Sequence, residues 1–139
     1  MTYTAKAQFV NGLEINVGTR SHTIKVDQSV ERGGTNKGMN PMELLLSSIA
    51  TCLTMTVLLA TEKADLKVED ISVKVEGDRD ACVRPGLNVI RTTVNVKTNV
   101  PSETMEQFIR EIALNAPVVE SVRNAVTFEE PTLVIQRAD

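Results

Sequence analysis

The sequence predicts an α+β fold in the element order βββ-α-ββ-αα-β, and three features carry that reading. Short segments of alternating apolar and polar residues occupy both ends of the chain. A charge-free run of 18 residues, Leu44 to Thr61, separates them. Farther on, Met105, Phe108, Ile109 and Ile112 fall at i, i+3, i+4 and i+7, the spacing of an amphipathic helix. No repeat, low-complexity tract or linker divides the 139 residues, so a single domain spanning 1–139 is expected.

Each element has its own justification. Tyr3, Ala5, Ala7 and Phe9 alternate with polar residues, the period of a half-buried strand. Asn11-Gly12 is a two-residue hairpin signal, because both positions tolerate positive φ. A second strand follows over Leu13–Val17, then a turn expected at Gly18-Thr19 and a third strand through His22, Ile24 and Val26. Residues 28–39 hold Gly33, Gly34 and Gly38 and read as a long loop, a common place for function. The loop lacks the Gly-Lys-Ser/Thr of a phosphate-binding turn. Asn40 then suits a helix N-cap, Pro41 the first helical position and Glu43 the third, a capping-box arrangement that opens a helix running to about Ala64. Ile71, Val73 and Val75 alternate in a fourth strand, residues 77–86 form a polar loop containing Cys82, and 87–97 is a fifth strand rich in Val, Ile and Thr. Ser102 is the expected N-cap of the amphipathic helix. Pro117 interrupts that helix, because the residue before a proline is pushed out of the α region, and starts a short helix to about Asn124. Val126 to Gln136 reads as a closing strand, weakened at Pro131.

Composition narrows the function. Lys and Arg number 15 against 18 Asp and Glu, a net charge of −3 that speaks against nucleic acid as a partner. With no Trp, one Tyr and three Phe, the core is aliphatic. His22 stands alone and no His/Cys pair has ligand spacing, so neither a metal nor another cofactor is expected. No Gly-x-Ser-x-Gly elbow is present for a serine hydrolase. The start of the chain lacks a secretory pattern, which makes the expected setting cytoplasmic and both thiols free. The run Leu44–Thr61 reaches the lower edge of a membrane span, yet six of its 18 residues are Ser or Thr and Glu43 and Glu62 bracket it, so a buried soluble helix is expected. That helix is apolar nearly all round, more than a chain of this length can cover, and a homodimer is the economical solution.

Cys52 is the candidate nucleophile. It lies mid-helix, on a face shared with Leu45, Ser48, Ile49, Met55 and Leu59, where a small buried hydrophobe is the plain alternative. Its own helix dipole helps a thiolate only near the first turn, so activation would come from elsewhere. Glu43, nine residues earlier, is about 13.5 Å away along the axis and caps its helix more readily than it contacts Cys52.

The run from Asn40 to Cys52, Asn-Pro-Met-Glu-Leu-Leu-Leu-Ser-Ser-Ile-Ala-Thr-Cys, resembles the signature of the OsmC/Ohr family. The preceding Gly-Gly loop, the element order and the length also match, and the Met42-Glu43 order is that of its less characterised members. The resemblance implies an OsmC-like fold: an intertwined homodimer with its long central helices buried between two sheets. For active members it implies thiol-dependent reduction of organic hydroperoxides by a peroxidatic Cys, with a second Cys resolving the sulfenic acid. Cys52 falls on the peroxidatic position. The resolving position is Ala116, so the second thiol is missing there. The Arg that pairs with the peroxidatic thiol in the hydroperoxide-specific branch falls near Asn11-Gly12 and is absent, leaving Arg20 and Arg32 as substitutes without a spacing argument. Cys82 is not at the resolving position. Three functions fit these residues: a one-Cys peroxidase served by an external thiol, a catalytically degenerate homodimer holding a small hydrophobic ligand, or a structural protein with an inert Cys52.

Overall fold

The computed structural model describes residues 1–124, 128–133 and 136. Three antiparallel strands, β1 (Lys6–Asn11), β2 (Glu14–Thr19) and β3 (His22–Val26), form one sheet in the order β1-β2-β3. The helix α1 (Pro41–Lys63) follows. Next comes the antiparallel pair β4 (Asp70–Asp78) and β5 (Val89–Lys97), then α2 (Ser102–Ala113) and α3 (Pro117–Arg123). This is the α+β order expected up to α3. The expected closing strand, Val126 to Gln136, falls in large part outside the described residues; within it, residues 128–133 and 136 belong to no regular element.

The start of α1 follows from its sequence. The Asn40 side chain accepts from the Glu43 N–H at 2.8 Å, and the Glu43 carboxylate accepts from the Asn40 N–H at 3.1 Å. Two helix-end donors are thereby satisfied, with Pro41 at the position that needs none. Ile49, Leu53, Val57 and Thr61 recur every four residues and form the buried stripe. Thr61 hides its hydroxyl there by donating to the Val57 carbonyl at 2.7 Å. β4 packs on α1, and α2 and α3 pack on it as well. Along β4 the side chains alternate inward and outward, and Val73, Val75 and Ile90 join the cluster around Ile49, Leu53 and Ala116. By length and composition α1 is apolar enough to cross a membrane, but its buried stripe is the core of this fold.

Several local expectations shift. The first hairpin turns at Gly12-Leu13, with Asn11 paired to Glu14, because the register slips between Phe9 and Asn11. Gly12 supplies the positive φ of +56°. The second turn is Arg20-Ser21, not Gly18-Thr19: Thr19 pairs with His22, and Gly18 lies inside β2 opposite Thr23. Tyr3 precedes β1, and β1 is exposed on both faces, not half-buried, because no other element of the described chain covers it. Gly77 belongs to β4, where the ends of the Leu87 and Leu46 side chains lie close over its Cα. Ser102 is the first residue of α2 and Pro101 its cap.

The glycine loop after β3 is pinned by buried acids. It contains a short 3-10 helix, Val30–Arg32. Asp27, 1% exposed, accepts from the Thr35 hydroxyl at 2.7 Å and from the backbone N–H groups of Gln28, Thr35 and Lys37. Glu14 on β2 pairs with Lys25 and, at 3.2 Å, with Lys37. Gly34 and Gly38 face backbone carbonyls of Gln28 and Lys25 so closely that any Cβ would collide. The Thr35 hydroxyl, then the three amides, hold the Asp27 carboxyl at about 2 against an ordinary 3.8, outweighing its burial. Hydrogen bonds to Lys25 and Lys37 lower Glu14 as well.

Two predictions follow from this packing. A depressed folded-state pKa stabilises above the unfolded value, and that stabilisation is lost as pH falls through the folded one. Unfolding midpoints should therefore drop as pH falls from 3.8 towards 2, and Asp27→Asn should flatten that drop while lowering stability at neutral pH; an Asp27→Asn acid profile parallel to wild type would contradict the clamp. Leu53, nearly enclosed, should cost about 2–5 kcal/mol when truncated to Ala, read by urea denaturation. A loss no larger than that of a surface substitution would remove Leu53 from the core.

Candidate functional site

Cys52 stands one residue before Leu53 and is half-buried against the Ile49–Leu53–Ala116 cluster. Its Sγ accepts a hydrogen bond from the backbone N–H of Val118 at 3.4 Å. The local sequence explains this donor. Pro117 is the first residue of α3 and has no N–H, so Val118 offers the first amide of that helix, and no intrahelical carbonyl is available to it. Ala116, fully buried in the extended N-cap conformation, sets the direction in which α3 leaves the core. α1 supplies the thiol and α3 the donor.

The structure brings together only some of the residues that the sequence singles out. Cys52 and Ala116 meet in one cluster. Glu43 stays at the start of α1 with its carboxylate bonded to Asn40. Arg20 lies in the β2–β3 turn and Arg32 in the 3-10 helix; neither makes a hydrogen bond to Cys52. Among the described residues the Val118 amide is the hydrogen-bonding partner of this sulfur. Cys82 is exposed in the β4–β5 loop, its N–H bonded to Asp80 at 3.0 Å, and both cysteines are free thiols. His22 is exposed on β3, and no cluster of metal-ligating side chains occurs among the described residues. Sequence reasoning missed the Val118 amide, although Ala116-Pro117 carried its signal: a proline at the first helical position advertises free amides immediately after it.

A cavity of about 700 Å³ opens beside this cluster. Leu45, Ile49 and Leu53 of α1 form one wall, Val89 and Ile90 of β5 another, and Val119 of α3 a third. Cys52 is not on its wall, although its neighbours Ile49 and Leu53 are. The lining is apolar apart from a few groups, among them Arg84 and Arg123.

Comparison with curated proteins by sequence finds no match. Comparison with solved structures finds the same fold repeatedly. An OsmC-like protein from Mycoplasma pneumoniae superposes with a TM-score of 0.79 at 18% identity, covering 88% of each chain. An organic hydroperoxide resistance protein OsmC from Legionella pneumophila gives a TM-score of 0.66 at 19% identity, over 88% of this chain and 90% of that one. An organic hydroperoxide resistance protein from Elizabethkingia anophelis gives 0.67 at 22% identity, over 88% and 89%. The OsmC-like protein family model matches residues 34–130, from the glycine loop through α3 and beyond. The helix that carries Cys52 and the elements around it thus lie within the match, and the chain belongs to the OsmC-like protein family.

Proposed function

We propose that this chain is a cytoplasmic, thiol-dependent reductase of organic hydroperoxides with Cys52 as its nucleophile. The observation that carries the reading is the Cys52 sulfur held between α1 and α3 with a backbone N–H aimed at it. The Cys52 thiolate attacks one peroxide oxygen. The O–O bond breaks, the alkoxide leaves and takes up a proton as the alcohol, and Cys52 becomes a sulfenic acid. Ala116 stands at the family's resolving position, so an external thiol displaces water from the sulfenic acid and forms a mixed disulfide. A second external thiol exchanges with it and restores the Cys52 thiol. One hydroperoxide is reduced to alcohol and water while two thiols are oxidised to a disulfide.

A second reading has specific observations behind it. Cys52 lies off the wall of the apolar cavity, and no cationic side chain is bonded to its sulfur among the described residues. A homodimer that retains the fold and holds a hydrophobic ligand without peroxide chemistry accounts for both.

Both readings include a homodimer. Met55 and Leu59, 62% and 68% exposed, stand on the side of α1 away from its buried stripe. The β1–β3 sheet and its first turn likewise expose Phe9, Ile24 and Leu13. A second copy that covers these surfaces should bury roughly 2,000 Å² or more in total, the scale of an obligate dimer. Sedimentation at micromolar concentration should give a dimer, and Leu59→Glu should dissociate it; a monodisperse wild-type monomer would refute this.

The chemistry is tested by titrating organic hydroperoxide and reading intact mass. Wild type should gain sulfenic, sulfinic or sulfonic oxygen, or a mixed disulfide when a small thiol is present. Cys52→Ala should gain none of these at that position. Ala116→Cys should redirect the product to an internal disulfide, provided the Cα atoms come within about 7 Å. A Cys52 that stays a free thiol under excess hydroperoxide ends the enzyme reading in favour of the binding one.

A further inference from the structure

We propose that the cavity between α1, β5 and α3 binds an amphipathic carboxylate, with its alkyl chain against the apolar walls and its head on Arg84 and Arg123. The inference rests on the reading of this cavity as the ligand site and is independent of chemistry at Cys52.

Both arginines line the cavity wall. Arg84 lays its side chain over the wall residue Gly86, where an added Cβ would stand 3.6 Å from Nη2. Arg123 donates through Nη2 to the carbonyl of Leu114, another wall residue, at 3.2 Å. Glu120 shares that same nitrogen at 3.5 Å, which leaves other guanidinium donors of Arg123 for a ligand. Among the described residues no carboxylate lines the cavity, and none pairs with Arg84. Arg84 therefore meets an otherwise largely apolar wall without a carboxylate partner among the described residues, and Arg123 keeps guanidinium donors beyond its pair with Glu120.

The remaining walls suit an alkyl chain. Leu45, Val89, Leu114 and Val122 are large, exposed hydrophobic residues, and all four line this one cavity. Scattered exposed hydrophobes are ordinary, whereas their convergence on a concave surface marks a binding site. A volume of about 700 Å³ lies in the range that holds a drug-sized or fatty-acid-sized molecule. Guanidinium forks match the planar, two-oxygen geometry of a carboxylate, so the head group and the chain are specified by different parts of one site.

The test is isothermal titration of the full-length protein with dodecanoate below its micelle concentration, beside uncharged 1-dodecanol as the comparison. Wild type should bind dodecanoate at least about tenfold more tightly than dodecanol, the scale of a charge-assisted hydrogen bond to a guanidinium. The double variant Arg84→Gln/Arg123→Gln should erase that preference by weakening dodecanoate alone. Both positions are exposed, and circular dichroism checks that the variant folds. Absence of dodecanoate binding, equal binding of acid and alcohol, or an unchanged preference in the double variant would overturn the proposal. Wild-type peroxide turnover, with Cys52→Ser as its blank, separates the site from the peroxidase reading: dodecanoate bound by a wild type that shows no turnover supports the carboxylate site and removes the enzyme, and wild-type turnover without dodecanoate binding removes the site alone.

Discussion

One repeating contact organises the fold: the i, i+4 stripe of α1 at Ile49, Leu53, Val57 and Thr61, buried against β4, α2 and α3. The helix is 23 residues long, about 35 Å, and long enough for separate elements to share it as a common axis. β4 must alternate strictly to present Val73 and Val75 to it. α3 must leave the core at Ala116 with its first amide facing Cys52, beside the stripe. Ala116 is fully buried against Ile49 and Leu53, so the packing of the stripe and the position of the Val118 donor are linked. The residue expected from the family to be a chemical partner of Cys52 is here a packing residue that orients another donor.

The β1–β3 sheet obeys different physics. It shares little surface with α1 in one chain, and its cohesion comes from strand pairing, the Glu14 pairs with Lys25 and Lys37, and the ring of donors around Asp27. Ion pairs and hydrogen bonds of this kind fix geometry more than they add net stability. The apolar residues left open on this sheet and on the far side of α1 then represent hydrophobic area that the single chain does not bury. This open apolar area is the physical ground on which a second copy is proposed.

Much of this architecture was legible because it is written in short-range chemistry. The Asn40-Pro41-Met42-Glu43 start of α1 needs only neighbouring residues, and the structure has both of its reciprocal hydrogen bonds. The order of elements through α3 was legible for the same reason, since period and punctuation are local. Turn positions were less so. Gly12-Leu13 and Arg20-Ser21 are displaced from the glycine signals because register is settled between strands, and a slip near Phe9 moves the first loop by a residue. The burial of β1 was misread because alternation reports which side of a strand is apolar and not whether anything lies against it. For the site, the sequence located Cys52 and the alanine at 116, but the donor to Cys52 is a main-chain amide, whose signal is not its own residue but the Pro117 before it.

That last difference bears on how a mid-helix cysteine is served at all. The amides around Cys52 on its own helix are committed to backbone bonds, so neither dipole nor free N–H is available locally. The help has to come from a helix that begins where α1 passes, and Pro117 arranges this by removing one amide and presenting the next. A backbone donor survives changes in side chains provided the path of the chain is kept. Substitutions around the thiol that keep the path of α3 should therefore keep the contact between the Val118 amide and the Cys52 sulfur.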